Sequence, residues 1–240
     1  MSSVATDSGP KIVGIVPARL DSSRLPGKAL LQVNGVPLIG YVLKRARRIV
    51  GLSALVIATS ARRVDDPLEK FGRVHGVPIF RGSLDDVAGR LLSCARLYEA
   101  DYFIRLNGDS PFLDPDLIDQ GIALCLQSGA DLVTNLIGRT FPHGIAVEIV
   151  RTAAFECAYA SMDDPQDREH VTRYLYYHSE AFRIEAMVSP AAELSKAHMT
   201  VDTPADFKAF ERLVGSAGEA FFTMNYQQVA ERILAERGTE

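Results

Sequence analysis

Apolar runs of four to six residues alternate along the chain with longer stretches of helical period, and polar or Gly/Pro-rich turns separate them. Ile12, Val13, Ile15 and Val16 form a run with no polar break, which predicts a strand buried on both faces and cut off by Pro17. Leu55–Ala58, Val77–Phe80, Tyr102–Leu106 and Asp131–Thr134 read as further strands. Helical patterns lie between them, at about Pro37–Ile49, Asp66–His75, Asp86–Glu99 and Pro115–Gln127. Strands alternating with helices at this spacing predict βαβ units and an α/β fold with a mainly parallel sheet. Beyond Asn135 the rhythm loosens. Strands are predicted at Ile145–Val150, Phe182–Val188 and His198–Asp202. Helices are predicted at Thr152–Ser161, from Asp167 through Tyr174, from Pro204 to about Val214, and from Tyr226 to about Glu236. No repeat or linker appears, so residues 11–240 are expected to form one domain behind a small, polar lead-in at residues 1–10.

The loop after the first strand changes the picture. Arg19, Ser22, Ser23, Arg24, Gly27 and Lys28 fall within ten residues. Loops at the carboxyl ends of strands are where open α/β sheets bind ligands. Cations and free backbone N–H groups there suit a polyphosphate. Solvated loop charges are the plain alternative. The stretch is not a Walker A loop, because Asp21 and Ala29 stand where Gly and Ser or Thr are needed. Asp109 and Asp202 also follow strands. Two carboxylates are what Mg²⁺ asks of a protein when phosphate and water complete its shell. Either could instead cap a turn or helix, and Asp202-Thr-Pro is itself a good helix start. Asp86 has the same second reading as a helix cap.

Charge and composition narrow the partners. The net charge of −4 argues against a nucleic-acid partner, which wants a broad basic face. No apolar run reaches the roughly 18 residues of a membrane span, so no membrane association is expected. The 3 cysteines, Cys94, Cys125 and Cys157, have no metal-ligand spacing and lie in apolar helical patterns. They read as buried free thiols of a cytoplasmic protein.

Residues 17–30, PARLDSSRLPGKAL, resemble the amino-terminal motif of the sugar cytidylyltransferases, and most of all their spore-coat-polysaccharide branch. Arg81-Gly-Ser-Leu-Asp-Asp-Val, Asn107-Gly-Asp-Ser-Pro, Phe141-Pro-His-Gly-Ile-Ala-Val-Glu, Asp167-Arg-Glu-His-Val-Thr and Thr200-Val-Asp-Thr-Pro resemble later blocks of that family, in order. The resemblance implies a Rossmann-like sheet of the nucleotide-diphospho-sugar transferase type with helices on both faces. It implies that Pro17, Ala18, Arg19, Ser22, Ser23, Arg24, Lys28, Asn107 and Gly108 hold CTP, and that Arg81, Ser83 and Asp86 lie near its base. Asp109 and Asp202 would carry Mg²⁺, making Arg19, Lys28 and the two aspartates the catalytic set. His143, Glu148, Arg168, Glu169 and His170 would face a sugar-acid acceptor. A homodimer is implied, formed by about residues 136–190. The branch often has Asp where His143 and Ala146 stand and Pro where Arg173 stands, so these departures fall in the acceptor-reading segment. His170 is open between a general base, an acceptor ligand and plain structure.

Two other readings stay open at this point. One is a glycosyltransferase taking a nucleotide-sugar donor; such enzymes usually place D-x-D after a strand, where this chain has Asn107-Gly-Asp109 and, further on, Asp114-Pro-Asp116. The other is a non-catalytic protein that binds CTP for regulation.

Overall fold

A computed structural model describes residues 9–237. The strands in chain order are β1 (Ile12–Pro17), β2 (Gln32–Val33), β3 (Val36–Pro37), β4 (Ala54–Ser60), β5 (Ile79–Gly82), β6 (Tyr102–Arg105), β7 (Leu132–Thr134), β8 (Glu148–Arg151) and β9 (Ile184–Ala186). The helices are α1 (Leu38–Ala46), α2 (Asp66–His75), α3 (Val87–Leu97), α4 (Pro115–Ser128), α5 (Thr152–Ala160), α6 (Pro165–Glu169), α7 (Arg173–Tyr177), α8 (Pro204–Ala217) and α9 (Tyr226–Arg237). Seven strands form one sheet in the order β5-β4-β1-β6-β8-β7-β9, and β2 and β3 make a separate hairpin. All pairings in the large sheet are parallel except those of β8, which runs antiparallel to both β6 and β7.

The central strands bury both faces, and their side chains alternate between two cores, as a period of two requires. Ile12 and Val16 of β1, Ile57 of β4 and Ile104 of β6 pack with α1, α4, α8 and α9. Val13, Ile15, Val56, Ala58 and Phe103 point the other way, toward α3, α5 and α7. The expected layered α/β sheet is present, with helices on both faces.

Four sequence readings need correction. The helix predicted from Asp167 through Tyr174 is broken into α6 and α7. Val171 between them has φ of 51°, outside the helical range, although a β-branched residue resists that region. The strand predicted at His198–Asp202 is an extended segment tied by a single parallel bridge between His143 and His198. The strand predicted from Ile145 begins only at Glu148. Cys94 and Cys125 are buried free thiols, but Cys157 is exposed on the outer side of α5. The lead-in at residues 1–10 falls mostly on residues outside those described.

Candidate active site

The loop after β1 is shaped from below by a carboxylate. Asp65 is fully buried. It accepts the backbone N–H of Leu20 at 2.8 Å and the hydroxyl of Ser60. Gly27 N–H closes the loop on the Leu20 carbonyl at 2.8 Å. The loop therefore curls over the carboxyl ends of β1 and β6 and leaves its hydroxyls and cations facing one cleft.

Gly108, in the loop after β6, runs against the end of β1. A Cβ there would lie 2.6 Å from the Pro17 carbonyl oxygen, so only glycine lets the two loops meet. Asp109 then turns toward Lys28, whose ammonium donates to Asp109 Oδ2 at 2.9 Å and Asp202 Oδ1 at 2.8 Å. Val201 N–H donates to the Asp109 carbonyl at 3.1 Å, joining the two acidic segments by backbone. Asp206 sits at the third position of α8 in a reciprocal cap with Thr203. It also accepts the Asp202 N–H at 3.1 Å, so the start of α8 fixes where Asp202 stands. Burial alone would raise the Asp202 carboxyl, yet the Lys28 hydrogen bond and the charges of Lys28 and Arg24 hold it below the usual carboxylate range.

The cleft encloses about 940 Å³. Pro17, Ala18, Arg19, Ser22, Ser23, Arg24, Lys28, Asn107, Gly108, Asp109, His143, Glu169, His170 and Asp202 all line it. Lys28 and Asp202, 174 positions apart, are thus brought to one surface.

Five sequence-predicted site residues do not line the cleft. Arg81 turns away to Asp66 and Glu69 of α2, at 2.7 and 2.8 Å, and to the carbonyls of Ser60 and Arg62. Ser83 accepts the Asp86 N–H at 3.1 Å within its own turn. Asp86 caps α3 through the Gly89 N–H at 2.7 Å and also accepts the Tyr159 hydroxyl at 2.6 Å. Arg168 lies over the Tyr159 ring and pairs with Asp86 at 3.1 Å. Glu148 is fully buried, where it accepts from Thr172 Oγ1 at 2.6 Å, Tyr176 OH at 2.9 Å and Arg105 Nη1 at 2.9 Å. Burial beside this carboxylate pushes the Tyr176 phenol well above its ordinary value.

Sequence reasoning passed over Arg90, Arg105 and Arg139, which all line the cleft. Arg105 carried a signal, a cation inside an otherwise apolar strand. The antiparallel register of β6 on β8, with Ile104 opposite Ile149, sets Arg105 next to Glu148. The Asp114-Pro-Asp116 spacing has a structural account. Asp114 caps α4, accepting from the N–H groups of Asp116 and Leu117, and it also accepts the Tyr226 N–H at 2.6 Å.

A loop of cations facing two convergent carboxylates, one in the loop after β6 and one just before α8, is a place to hold and cleave a polyphosphate. A family model described as cytidylyltransferase matches residues 13–231. The chain belongs to the cytidylyltransferase family. The spore coat polysaccharide biosynthesis protein SpsF of Bacillus subtilis (strain 168) is 32% identical over 214 residues, covering 87% of this chain and 88% of that protein. A 3-deoxy-manno-octulosonate cytidylyltransferase of Escherichia coli is 39% identical over 106 residues, 44% of this chain and 42% of that one. A solved cytidylyltransferase from Leptospira borgpetersenii serovar Hardjo-bovis (strain JB197) superposes with a TM-score of 0.89 at 28% identity, covering 96% of each chain. This cytidylyltransferase therefore shares its overall fold with that solved enzyme along nearly its whole length. Among its described residues, no helix is long and apolar enough to cross a membrane.

Proposed function

We propose that this cytidylyltransferase transfers CMP from CTP to a sugar acid of the octulosonate or nonulosonate type, releasing pyrophosphate, in the cytoplasm. The observation that carries the reading is the convergence of Asp109 and Asp202 on Lys28 beneath the Arg19–Lys28 loop. The names of the similar proteins support the acceptor class, and so does the presence of Arg139, His143 and His170 in the lining of the same cleft.

In this scheme an acceptor oxygen attacks the α-phosphorus. The bond from that phosphorus to the bridging oxygen breaks, pyrophosphate carries the electron pair away, and the acceptor proton passes to solvent. Arg19, Arg24 and Lys28 hold the β- and γ-phosphates and neutralise charge that grows on the leaving group. The loop also fixes the line of attack, which is most of what this chemistry asks of a protein. The acidic pair fits a divalent cation, since two carboxylates already converge on one positive charge. Asp109 and Asp202 would hold Mg²⁺, which supplies charge neutralisation and polarises the phosphate when bound. His170 is available to the acceptor as a hydrogen-bond partner.

Residues 11–240 act in this reading as one nucleotidyltransferase domain. The segment at about 136–190 supplies the acceptor end and the contact of a homodimer. A mass by light scattering near twice 26.2 kDa is expected.

The direct test is pyrophosphate release from CTP, Mg²⁺ and 3-deoxy-manno-octulosonate or a nonulosonate. Release that needs both CTP and the acid is expected, and Asp109→Asn should slow it by ~10²–10³-fold, the scale of a lost charge-stabilising contact. Hydrolysis of a nucleotide-sugar with no pyrophosphate would replace this reading with a glycosyltransferase. CTP binding without turnover on either acid would favour the regulatory protein.

A further inference from the structure

Arg90 of α3 is 4% exposed, yet it lines the cleft. Its stem packs on Gly82 at the end of β5, so closely that a Cβ on that glycine would fall 2.9 Å from Arg90 Cγ. One nitrogen, Nη1, donates to the carbonyls of Ser83 and Leu84. The buried Nε finds no partner. Asp65 and Asp86 act on the guanidinium only as charges through space, without a hydrogen bond, and Arg19 opposes them. A buried cation with idle donors and no paired carboxylate is costly unless something else accepts its protons.

The idle edge has a definite shape. Nε–H and the neighbouring Nη2–H lie side by side in the plane of the group, as a pair of parallel donors. Val87, three residues earlier on the same face of α3, lines the cleft too, as do Pro17 and Ala18 at the end of β1. These are apolar, short side chains suited to a flat ring. The cationic loop and the acidic pair line the same cleft.

We propose that Arg90 is the nucleobase-reading residue, its Nε–Nη2 edge donating to O2 and N3 of cytosine. The proposal rests on the reading that this cleft takes CTP. Cytosine sets two acceptors side by side at those positions. Uracil keeps O2 but carries N–H at N3, so a guanidinium donor there meets another donor. One fixed arginine edge thereby separates the two pyrimidine nucleotides. The role expected for Arg81 in the sequence passes to a residue nine positions later, because Arg81 is occupied by Asp66 and Glu69.

The test is calorimetric titration of CTP, UTP and inorganic pyrophosphate, each with Mg²⁺ and no acceptor, into the parent, Arg90→Met and Arg90→Lys. Methionine keeps the stem and removes the charge; lysine keeps the charge and removes the paired edge. The parent should prefer CTP to UTP. Both variants should weaken CTP by about ten- to a hundredfold, the scale of a lost bidentate base contact, bring the CTP:UTP ratio toward one and leave pyrophosphate binding alone. The ratio is taken within each variant, so a loss of folded protein cancels from it. An unchanged ratio in either variant overturns the proposal. So does a loss of pyrophosphate binding in step with CTP, which would make Arg90 a phosphate ligand. A parent that binds no CTP sinks the functional reading itself.

Discussion

Asp202 is held below its ordinary carboxyl pKa by Lys28 and Arg24 against the opposing effect of burial. A depressed folded value adds stability above the unfolded value near 3.8, and that stability is lost as pH falls through the folded pKa. Asp202→Asn should therefore melt below the parent at about pH 6, and the gap should narrow as pH falls below about 3.8 and close only below the folded value. A gap that stays equally wide would show that the carboxylate charge is not what Lys28 stabilises. The thiols make a second residue-level test. Burial pushes Cys94 up to about 12 and Cys125 up to about 11, whereas Cys157 is exposed. An aromatic disulfide reagent should find one fast thiol in the folded protein and all three after denaturation. Two fast thiols would place one of the buried pair wrongly. The loop residues were legible in the sequence because their chemistry is contiguous: cations, hydroxyls and a glycine within ten positions. Glu148 and Arg105 were not. Their pairing depends on how β8 lies against β6, and no local pattern encodes that register.

At the scale of elements, the nucleotide half was readable, and in the rest β9, α5, α8 and α9 were too, while the helix from Asp167, the strand at His198 and the start of β8 were not. Strands β1, β4 and β6 with α2 and α4 follow from apolar runs bounded by Pro, Gly and Asp, signals that act over a few residues. The break between α6 and α7 falls at Val171, whose backbone is left-handed, and beyond it Thr172 and Tyr176 both reach the distant Glu148. The same holds for the segment at His198, which the sequence suggests as a strand. It makes one isolated bridge, to His143, and one backbone bond to Asp109, and Gly144 brings the chain hard against Met199. Gly144 has φ of 100°, and a Cβ there would lie 2.1 Å from the Met199 carbonyl oxygen. Gly144→Ala should cost about 3 kcal/mol through strain and the displaced backbone, read by denaturant unfolding. It should also loosen the stacked rings of His143 and His198, now 5.0 Å apart. Unchanged stability would mean that this crossing is not as tight as the geometry makes it.

Across the whole molecule, Arg45 ties the two ends of the chain together. It is fully buried on α1 and donates to the carbonyls of Leu113, Phe221 and Met224. Burial pulls it down to about 10, still charged near neutrality. Arg45→Met leaves three carbonyls unpaired and should lower stability by roughly 3 kcal/mol, less than the sum of three orphaned groups because the desolvated charge goes too. Chemical denaturation reads the change, and a shift within about 0.5 kcal/mol would deny the arginine this role. The acidic pair has an equally long reach, with Lys28 donating to a carboxylate 174 positions further on. During synthesis the ribosome releases the phosphate loop early and Asp202 late. A nascent chain halted short of Asp202 has one carboxylate of the pair and no anchor for Lys28 beyond it. Contacts of such separation form slowly, so CTP should begin to protect the growing chain from proteases only once α8 has emerged, and the substrate then serves as a sensor of completed folding.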